Sequence, residues 1–457
     1  MTPATMTPAT RSPVPLTAAA APPLKGRIRV PGDKSISHRA LMLAALAIGE
    51  TTIEGLLESG DVLATAEAMR AFGVLTERTG AGRWRVRGVG VGGFLEPEAE
   101  IDYGNSGTGA RLAMGLVASQ AIPVTFTGDA SLRGRPMGRI LDPLRRMGTQ
   151  VIARSKDRLP LTLKGPDIPL PIEYRLPVPS ARVKSAVLLA GLNTPGITTI
   201  IEPTPTRDHT ERMLELFGAA VEIDRDEDGQ RVVRLEGRRD LRAQQIAVPG
   251  DTSFAAFLIV AALLVEGSDL TIEALLLNPM RTGLIETLVD MGGDIEIDNR
   301  RTVGGEAVGD VRVRSSRLRG IQVPPERAPS MIDDYPALAI AAAFAEGVTV
   351  MEGIGELRLK ETDRLSALAA GLGANGVEVE EGPESLAVTG GAARIGGGTV
   401  VTRQDHRVGI GFLVLGMAGH APVTIDDASA IDIHFPEFQA LMSRLGAHFE
   451  RAEPAAA

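Results

Sequence analysis

Six short polar clusters recur along this chain of 457 residues, and several of them carry groups suited to holding an anion. They are Asp33-Lys34-Ser35, Asn105-Ser106-Gly107-Thr108, Ser180-Ala181-Arg182, Asp251-Thr252-Ser253, Ile332-Asp333-Asp334 and Asp405-His406-Arg407. An apolar run follows each cluster, so each stands where a helix would begin. Asp, Ser and Asn are good N-caps. Capping accounts for Asp251 and Ser253 in full, and Asp334 reads as structural as well. It does not account for Lys34, Arg182, Arg207, Lys360 or Arg407. A cation at a helix N-terminus opposes the macrodipole. Where several units put cations near such ends, an anionic ligand is the expected counterpart.

The elements that must position these groups recur with them, at intervals of about 70 to 80 residues. Such repetition dictates architecture. The runs Ala40–Ala47, Leu112–Ala118, Val183–Leu192, Phe254–Val265, Ala337–Ala345 and Phe412–Met417 are apolar nearly all round, which predicts buried helices. β-Branched segments follow, such as Thr51–Ile53, Ile197–Ile201 and Val423–Ile425, and predict strands. A second, amphipathic helix closes on glycine in each unit, at Gly73, Gly148, Gly218, Gly292, Gly373 and Gly446. Strand pairs come next. Each unit therefore reads as roughly βαβαββ, six times over. A chain beyond about 250–300 residues normally divides into domains, so six units in two domains is the economical arrangement.

Composition narrows the function. Aromatic residues make up 3% and the net charge is −9. Base-stacking platforms need aromatics and nucleic-acid binders usually show a basic footprint, so no nucleic-acid partner is expected. An anion must meet a local cluster of Lys and Arg. With no cysteine, disulfides and thiol chemistry are excluded. The six histidines show no metal-binding spacing. The apolar run from Ala255 to Val265 is too short to span a bilayer. No membrane association is expected, and a cytoplasmic location is. Residues 1–23, rich in Pro, Ala and Thr, are expected to be a disordered tail, and 451–457 a frayed end.

The strongest local signal is Leu24–Ala40, L-K-G-R-I-R-V-P-G-D-K-S-I-S-H-R-A. It resembles the amino-terminal signature of the 5-enolpyruvylshikimate-3-phosphate (EPSP) synthase family. The resemblance runs over about residues 24–450. It includes Asn105–Arg111, R-G-R-P-M-G at Arg133–Gly138, Ser180–Leu192, R-D-H-T-E at Arg207–Glu211, Met331–Pro336, L-R-L-K-E-T-D-R-L at Leu357–Leu365, and Asp405–Arg407. Arg207, His209 and Glu211 are similar to the mark of the family's class II branch.

The resemblance implies a fold: a two-domain, inside-out α/β barrel of the enolpyruvyl transferase type. Each domain would hold three repeats about a pseudo-threefold axis, helices inside and sheets outside. One domain would span 33–248 and the other 24–32 plus 249–450, with the site in the cleft between them. It also implies a reaction. The enolpyruvyl group of phosphoenolpyruvate (PEP) passes to the 5-hydroxyl of shikimate 3-phosphate by addition and elimination, without metal or cofactor. Both substrates are anions, for which Arg supplies planar forks. On matching positions, Lys34, Ser35, Arg39, Ser180, Ala181, Arg182, Arg207, Asp333 and Lys360 would hold shikimate 3-phosphate. Lys34, Gly107, Arg135, Arg182, Arg364 and Arg407 would hold PEP. Asp333 would take the hydroxyl proton and Glu361 would protonate the methylene carbon, with Lys34 the competing proton carrier. Asp61 and Asn105 are candidate partners of Lys34. Each domain alone would lack the full constellation, and a monomer is expected.

Departures from the family pattern leave two other readings. Arg182 stands where Gln is usual, Ile433 where many members carry Lys, and Val408–Gly411 departs from the usual run. A sister enzyme acting on a UDP-amino sugar shares the architecture, but its usual cysteine loop cannot exist here. A catalytically silent ligand-binding paralogue is the third reading.

Overall fold

The computed structural model describes residues 13–451. The first twelve residues of the expected tail and residues 452–457 lie outside the described residues. Each inner helix begins at its polar cluster. In the first half of the chain these are α1 (Lys34–Leu46), α2 (Gly107–Val117) and α3 (Ala181–Leu192). In the second they are α4 (Thr252–Leu264), α5 (Tyr335–Phe344) and α6 (His406–Ala418). A helix apolar on every face cannot rest on a surface. Thus every residue of α4 from Thr252 to Leu263 is buried, α2 packs on α1 and α3, and α4, α5 and α6 pack on one another.

Six sheets cover these two helical cores. Their strands alternate between core and solvent, as in Arg83–Val89, where Trp84 and Val86 are buried between exposed Arg83, Arg85 and Arg87. Alternation of this kind is what a sheet with one covered face requires. The strand just before α1 pairs within the second half, and those before α4 pair within the first. Lys25–Ile28 pairs in parallel with Asp269–Ile272, while Leu241–Arg242 and Gln245–Ala247 pair in parallel with Ala47–Glu54. The two crossing segments touch through a bridge between Gly32 and Gly250. A Cβ on Gly32 would lie 2.0 Å from the carbonyl oxygen of Gly55, so only glycine permits that approach. Just beyond the bridge, Arg281 ties Asp33 (2.8 Å) to Asp251 (3.1 Å). The inner-helix caps of the two halves are thereby braced together.

The structure corrects the sequence reading at the termini. The expected tail to residue 23 is too long, because Leu16–Ala18 is a strand. It pairs antiparallel with both Val423–Ile425 and Phe449–Arg451. In the other sheets this inner place is filled by the last strand of a hairpin, as Arg231–Glu236 fills it beside Ala220–Arg225. Among the described residues the sixth unit supplies the outer strand, Phe449–Arg451, and Leu16–Ala18 takes the inner place. Leu16 and Ala18 are fully buried and the Thr17 hydroxyl lies 2.8 Å from that of Thr424. Three residues are too few to show a period among Pro and Ala. Arg451 belongs to this sheet, so the expected frayed end begins one residue too early. The fifth unit closes on Gly376, with φ +79°, after the C-cap Asn375, and not on Gly373.

Candidate active site

All six polar clusters contribute to one cavity. Lys34 and Ser35 come from the start of α1, and Asn105, Gly107, Thr108 and Arg111 from the start of α2. Arg182 comes from α3, Asp251 and Ser253 from α4, Asp333 from the approach to α5, and His406 and Arg407 from α6. The segments that follow the inner helices add Asp61, Arg135, Arg207, Arg281, Lys360, Glu361, Arg364 and His434. Nine cationic side chains and four carboxylates line this space, in a protein whose net charge is −9. The positive field is local, as an anion site in an acidic protein requires.

The wall from the second half is internally paired. Arg364, 1% exposed, holds Asp405 at 2.7 Å and Glu361 at 2.5 Å. Asp333 receives Lys360 at 3.2 Å and, across the cleft, Arg207 at 2.8 Å. Arg407 donates to the Asp333 carbonyl (2.9 Å) and faces Asp334 (3.4 Å). Burial opposes the charge of Asp333, but Lys360, Arg207, Arg407 and Arg364 outweigh it and hold the carboxyl well below its usual range. Glu361 is shifted down in the same way: burial is overcome by Arg364 and Arg135.

On the wall from the first half, three cations are left without an acid. Arg111 donates only to the carbonyls of Gly107 (3.1 Å) and Pro136 (3.3 Å), and Arg135 to Asn105 (2.7 Å) and Ser131 (3.1 Å). Among the described residues, no carboxylate forms an ion pair with Arg111, Arg135 or Arg182. Burial and the like charges of Arg182 and Arg135 push the proton affinity of Arg111 down to about 9, still charged at neutral pH. Lys360 is lowered too, by burial first, with Asp333 opposing and Arg182 adding to the fall.

At the crossing between the halves, the Lys34 ammonium sits 2.7 Å from Asp61, whose carboxylate also faces His434 at 3.2 Å. Asp61 is nearly buried; Lys34 and His434 overcome that cost and keep it well below the usual carboxylate range. The backbone N–H of Lys34 donates to Asp251 (2.9 Å), which also caps α4. Asp251 and Ser253 therefore do structural work at the cavity edge.

A second cavity adjoins the first and shares Arg182, Arg207, Asp333 and Lys360 with it. Ser180, Ala181 and Thr206 line it, with Pro325, Ala328, Pro329 and Ile332 opposite. The expected residues thus divide between two neighbouring spaces. One departs from expectation: Arg39 lines neither. It is buried, and its guanidinium donates to Thr210, Ser185 and the carbonyl of Ser35. Asn105 is a partner of Arg135 and Asp129, not of Lys34.

Arg111, Arg281 and His434 were not singled out from sequence. Helical spacing could have found Arg111, one turn after Gly107. His434 meets Asp61 across 373 residues, and no local pattern carries that. The acid and histidine group with metal-like spacing among the described residues is Asp208, His209 and Glu306. There His209 already bonds Glu306 at 2.6 Å, Arg212 faces Asp208 at 2.9 Å, and Asn278 donates to both acids.

The sequence matches the family model of EPSP synthase (3-phosphoshikimate 1-carboxyvinyltransferase) over residues 19–442. A 3-phosphoshikimate 1-carboxyvinyltransferase of Chelativorans sp. is 60% identical over 430 residues, 93% of this chain and 96% of the relative. One from Pseudomonas sp. strain PG2982 is 58% identical over 441 residues, 96% of this chain and 98% of the relative. Among solved structures, EPSP synthase from Acinetobacter baumannii superposes with a TM-score of 0.86 at 40% identity, covering 96% of this chain and all of that one. The enolpyruvyl transferase NikO from Streptomyces tendae, at 19% identity and a TM-score of 0.75 over 97% of this chain and all of that one, shares the fold. With a family match over most of its length and relatives this similar, the chain belongs to the EPSP synthase family.

Proposed function

We propose that the two adjoining cavities hold the substrates of this family's reaction. The protein transfers the enolpyruvyl group of PEP to the 5-hydroxyl of shikimate 3-phosphate and releases phosphate. Shikimate 3-phosphate occupies the space lined by Ser180, Ala181, Arg182, Arg207, Asp333 and Lys360, with Ser35 and Lys34 at its inner end. PEP lies among Lys34, Gly107, Arg135, Arg182, Arg364 and Arg407. Arg39 acts behind Ser35, holding its carbonyl. The observation that carries this reading is the convergence of all six clusters on one cation-rich cavity. Phosphates and carboxylates bind such a surface through charge-assisted hydrogen bonds.

The chemistry follows from how those charges are arranged. The 5-hydroxyl oxygen bonds to C2 of PEP, the hydroxyl proton goes to Asp333, and Glu361 gives a proton to C3. The tetrahedral adduct then loses a proton from C3 and the phosphate from C2. In the empty site both carboxyls are held ionised by the cations beside them. Substrate anions engage those same cations, so the stabilisation of each carboxylate weakens and its proton affinity rises. Asp333 thereby becomes a competent base and Glu361 can carry a proton. Acid–base help of this kind is worth about 10² to 10⁴ in rate. Arg207 bridging to Asp333 across the cleft supports closure before chemistry.

The same reading takes residues 33–248 as one half, and 24–32 with 249–450 as the other, the latter completed by the Leu16–Ala18 strand. The strand pairings support it, because Lys25–Ile28 and Leu16–Ala18 join sheets of the second half and Leu241–Arg242 joins one of the first. A cytoplasmic monomer is the proposed working form; no helix among the described residues is long and apolar enough to cross a membrane. The test is phosphate release by the purified protein with PEP and each of shikimate 3-phosphate, shikimate and UDP-N-acetylglucosamine. Release with shikimate 3-phosphate alone is expected. Release with the UDP-sugar, or calorimetric binding of shikimate 3-phosphate without release, would overturn it.

A further inference from the structure

His434 lines the cavity, this mechanism leaves it unused, and its partner Asp61 holds Lys34, which the mechanism uses. It ends the short helix Ser429–His434, which packs on α6 and on the helix Gly60–Ala71. Its Nδ1 lies 3.2 Å from Oδ2 of Asp61, and the Lys34 Nζ lies 2.7 Å from that same oxygen. A carboxylate oxygen only accepts, so both neighbours are donors and the Nδ1 of His434 carries a proton. One carboxylate therefore shares its charge between an imidazole and the ammonium expected to face PEP.

We propose that His434 is a positioning residue for Lys34, acting through Asp61, and that its protonation strengthens PEP binding. The inference rests on the reading above that Lys34 contacts PEP. While His434 is neutral, its N–H aims the carboxylate and Asp61 is free to hold the ammonium. Once protonated, the imidazolium draws on the same oxygen. Asp61 then holds Lys34 less tightly, and the ammonium turns more readily to a substrate anion. The added positive charge lies in the cavity wall, so it acts in the same direction.

The groups around His434 permit this. Asp61 faces it from the helix Gly60–Ala71, Lys34 from the start of α1, and His406, with Arg407 beside it, from the start of α6. The His406 ring lies 4.3 Å from the His434 ring, centroid to centroid, tilted by 34°. Neither nitrogen of His406 has a partner. Burial, then the charges of His434 and Lys34, hold its proton affinity well below that of an ordinary imidazole. His406 is therefore held neutral beside the His434 ring. Imidazole is the side chain whose ordinary range falls between pH 5 and 8.

The test compares wild type with His434→Phe, which keeps a ring against His406 but no donor, and His434→Asn, which keeps a donor near Nδ1 but cannot titrate. KM for PEP, KM for shikimate 3-phosphate and kcat are measured from pH 5.5 to 8.5. Loss of one charged hydrogen bond predicts that His434→Phe raises KM for PEP about fivefold to tenfold. It lowers kcat by less than that and spares KM for shikimate 3-phosphate. His434→Asn retains more affinity for PEP than Phe at pH 8.5, yet lacks the gain that wild type shows on going to pH 6. Titration of PEP itself is common to all three proteins and cancels in the comparison. Identical PEP profiles for the three, or equal loss of both substrates with a lowered melting temperature, would overturn the proposal. A readout independent of turnover is the NMR titration of the His434 imidazole in wild type and Lys34→Met. Removing the ammonium leaves Asp61 to His434 alone, so its midpoint rises by about one pH unit. An unmoved midpoint would overturn the shared carboxylate even where turnover is intact. Absence of phosphate release from wild type would instead count against the reaction itself.

Discussion

The two walls of the cleft carry similar numbers of cations, but the second-half wall pairs its own with acids while the first-half wall leaves three without one. On the second-half wall, Arg364 and Arg407 are tied to Glu361, Asp405 and Asp334. On the first-half wall, Arg111 and Arg135 rest on carbonyls, an amide and a hydroxyl, and Arg182 meets no carboxylate among the described residues. Burial raises the cost of an unpaired charge on both. One wall has met that cost with its own acids and is complete when empty. The other remains short of negative charge, and a ligand must supply it. The difference separates cations that a ligand would share with the protein's own acids from cations that it would meet unpaired.

The sharpest way to break this comparison is to remove one arginine from each wall and measure stability without substrate. Arg364→Met leaves the buried Asp405 and the half-buried Glu361 without their cation, which should cost about 3–5 kcal/mol in urea unfolding. Arg135→Met removes a charge with no acid partner and should change stability by no more than about 1 kcal/mol, while weakening PEP binding. Equal losses from the two variants would show that the walls do not differ.

A smaller effect is expected from Gly107→Ala on the first-half wall. The new Cβ would lie 2.8 Å from a terminal nitrogen of Arg111 and 2.9 Å from one of Arg135. Both guanidinium ends can swing away, so folding should survive. Displacing Arg135 from PEP, and Arg111 beside it, should raise the KM for PEP about tenfold, with little change for shikimate 3-phosphate. A matching rise for both substrates would place Gly107 outside the PEP side.

The smallest effect concerns Lys360, which links the two cavities. Burial lowers its proton affinity, Asp333 opposes that, and Arg182 and Arg364 add to it. A lysine so lowered in the free protein gives up its proton at lower pH than an ordinary one, and a bound anion restores it. Binding of shikimate 3-phosphate at alkaline pH should therefore take up a fraction of a proton. Calorimetry in two buffers of different ionisation enthalpy reads this directly. Proton release would mean that Lys360 does not face the bound anion.

Much of the site was legible because it repeats. Lys34, Arg182, Asp333 and Arg407 stand at or beside the starts of helices that are apolar on every face, and such helices must bury. Their N-termini then have few directions in which to point. The unit count was legible for the same reason. What failed were features with no local pattern. Leu16–Ala18 is too short to show a period, yet it closes a sheet with strands more than four hundred residues away. Arg39 carries a signature arginine, but the hydroxyls of Thr210 and Ser185 claim its guanidinium. Asn105 reaches Arg135 instead of Lys34 because the loop before α2 runs beside Asp129.

The sequence by itself determined the repeated unit, the buried helices, the presence of cations at their starts and the family to which these motifs point. Each of these depends on residue type and short-range spacing. Tertiary structure decided which cations keep an acid of their own, which stay open to a ligand, that His434 and Lys34 share Asp61, and that the start of the chain completes its last sheet. Pairing depends on distance in space, and charges hundreds of residues apart become partners only once the folded cores have set where each helix begins.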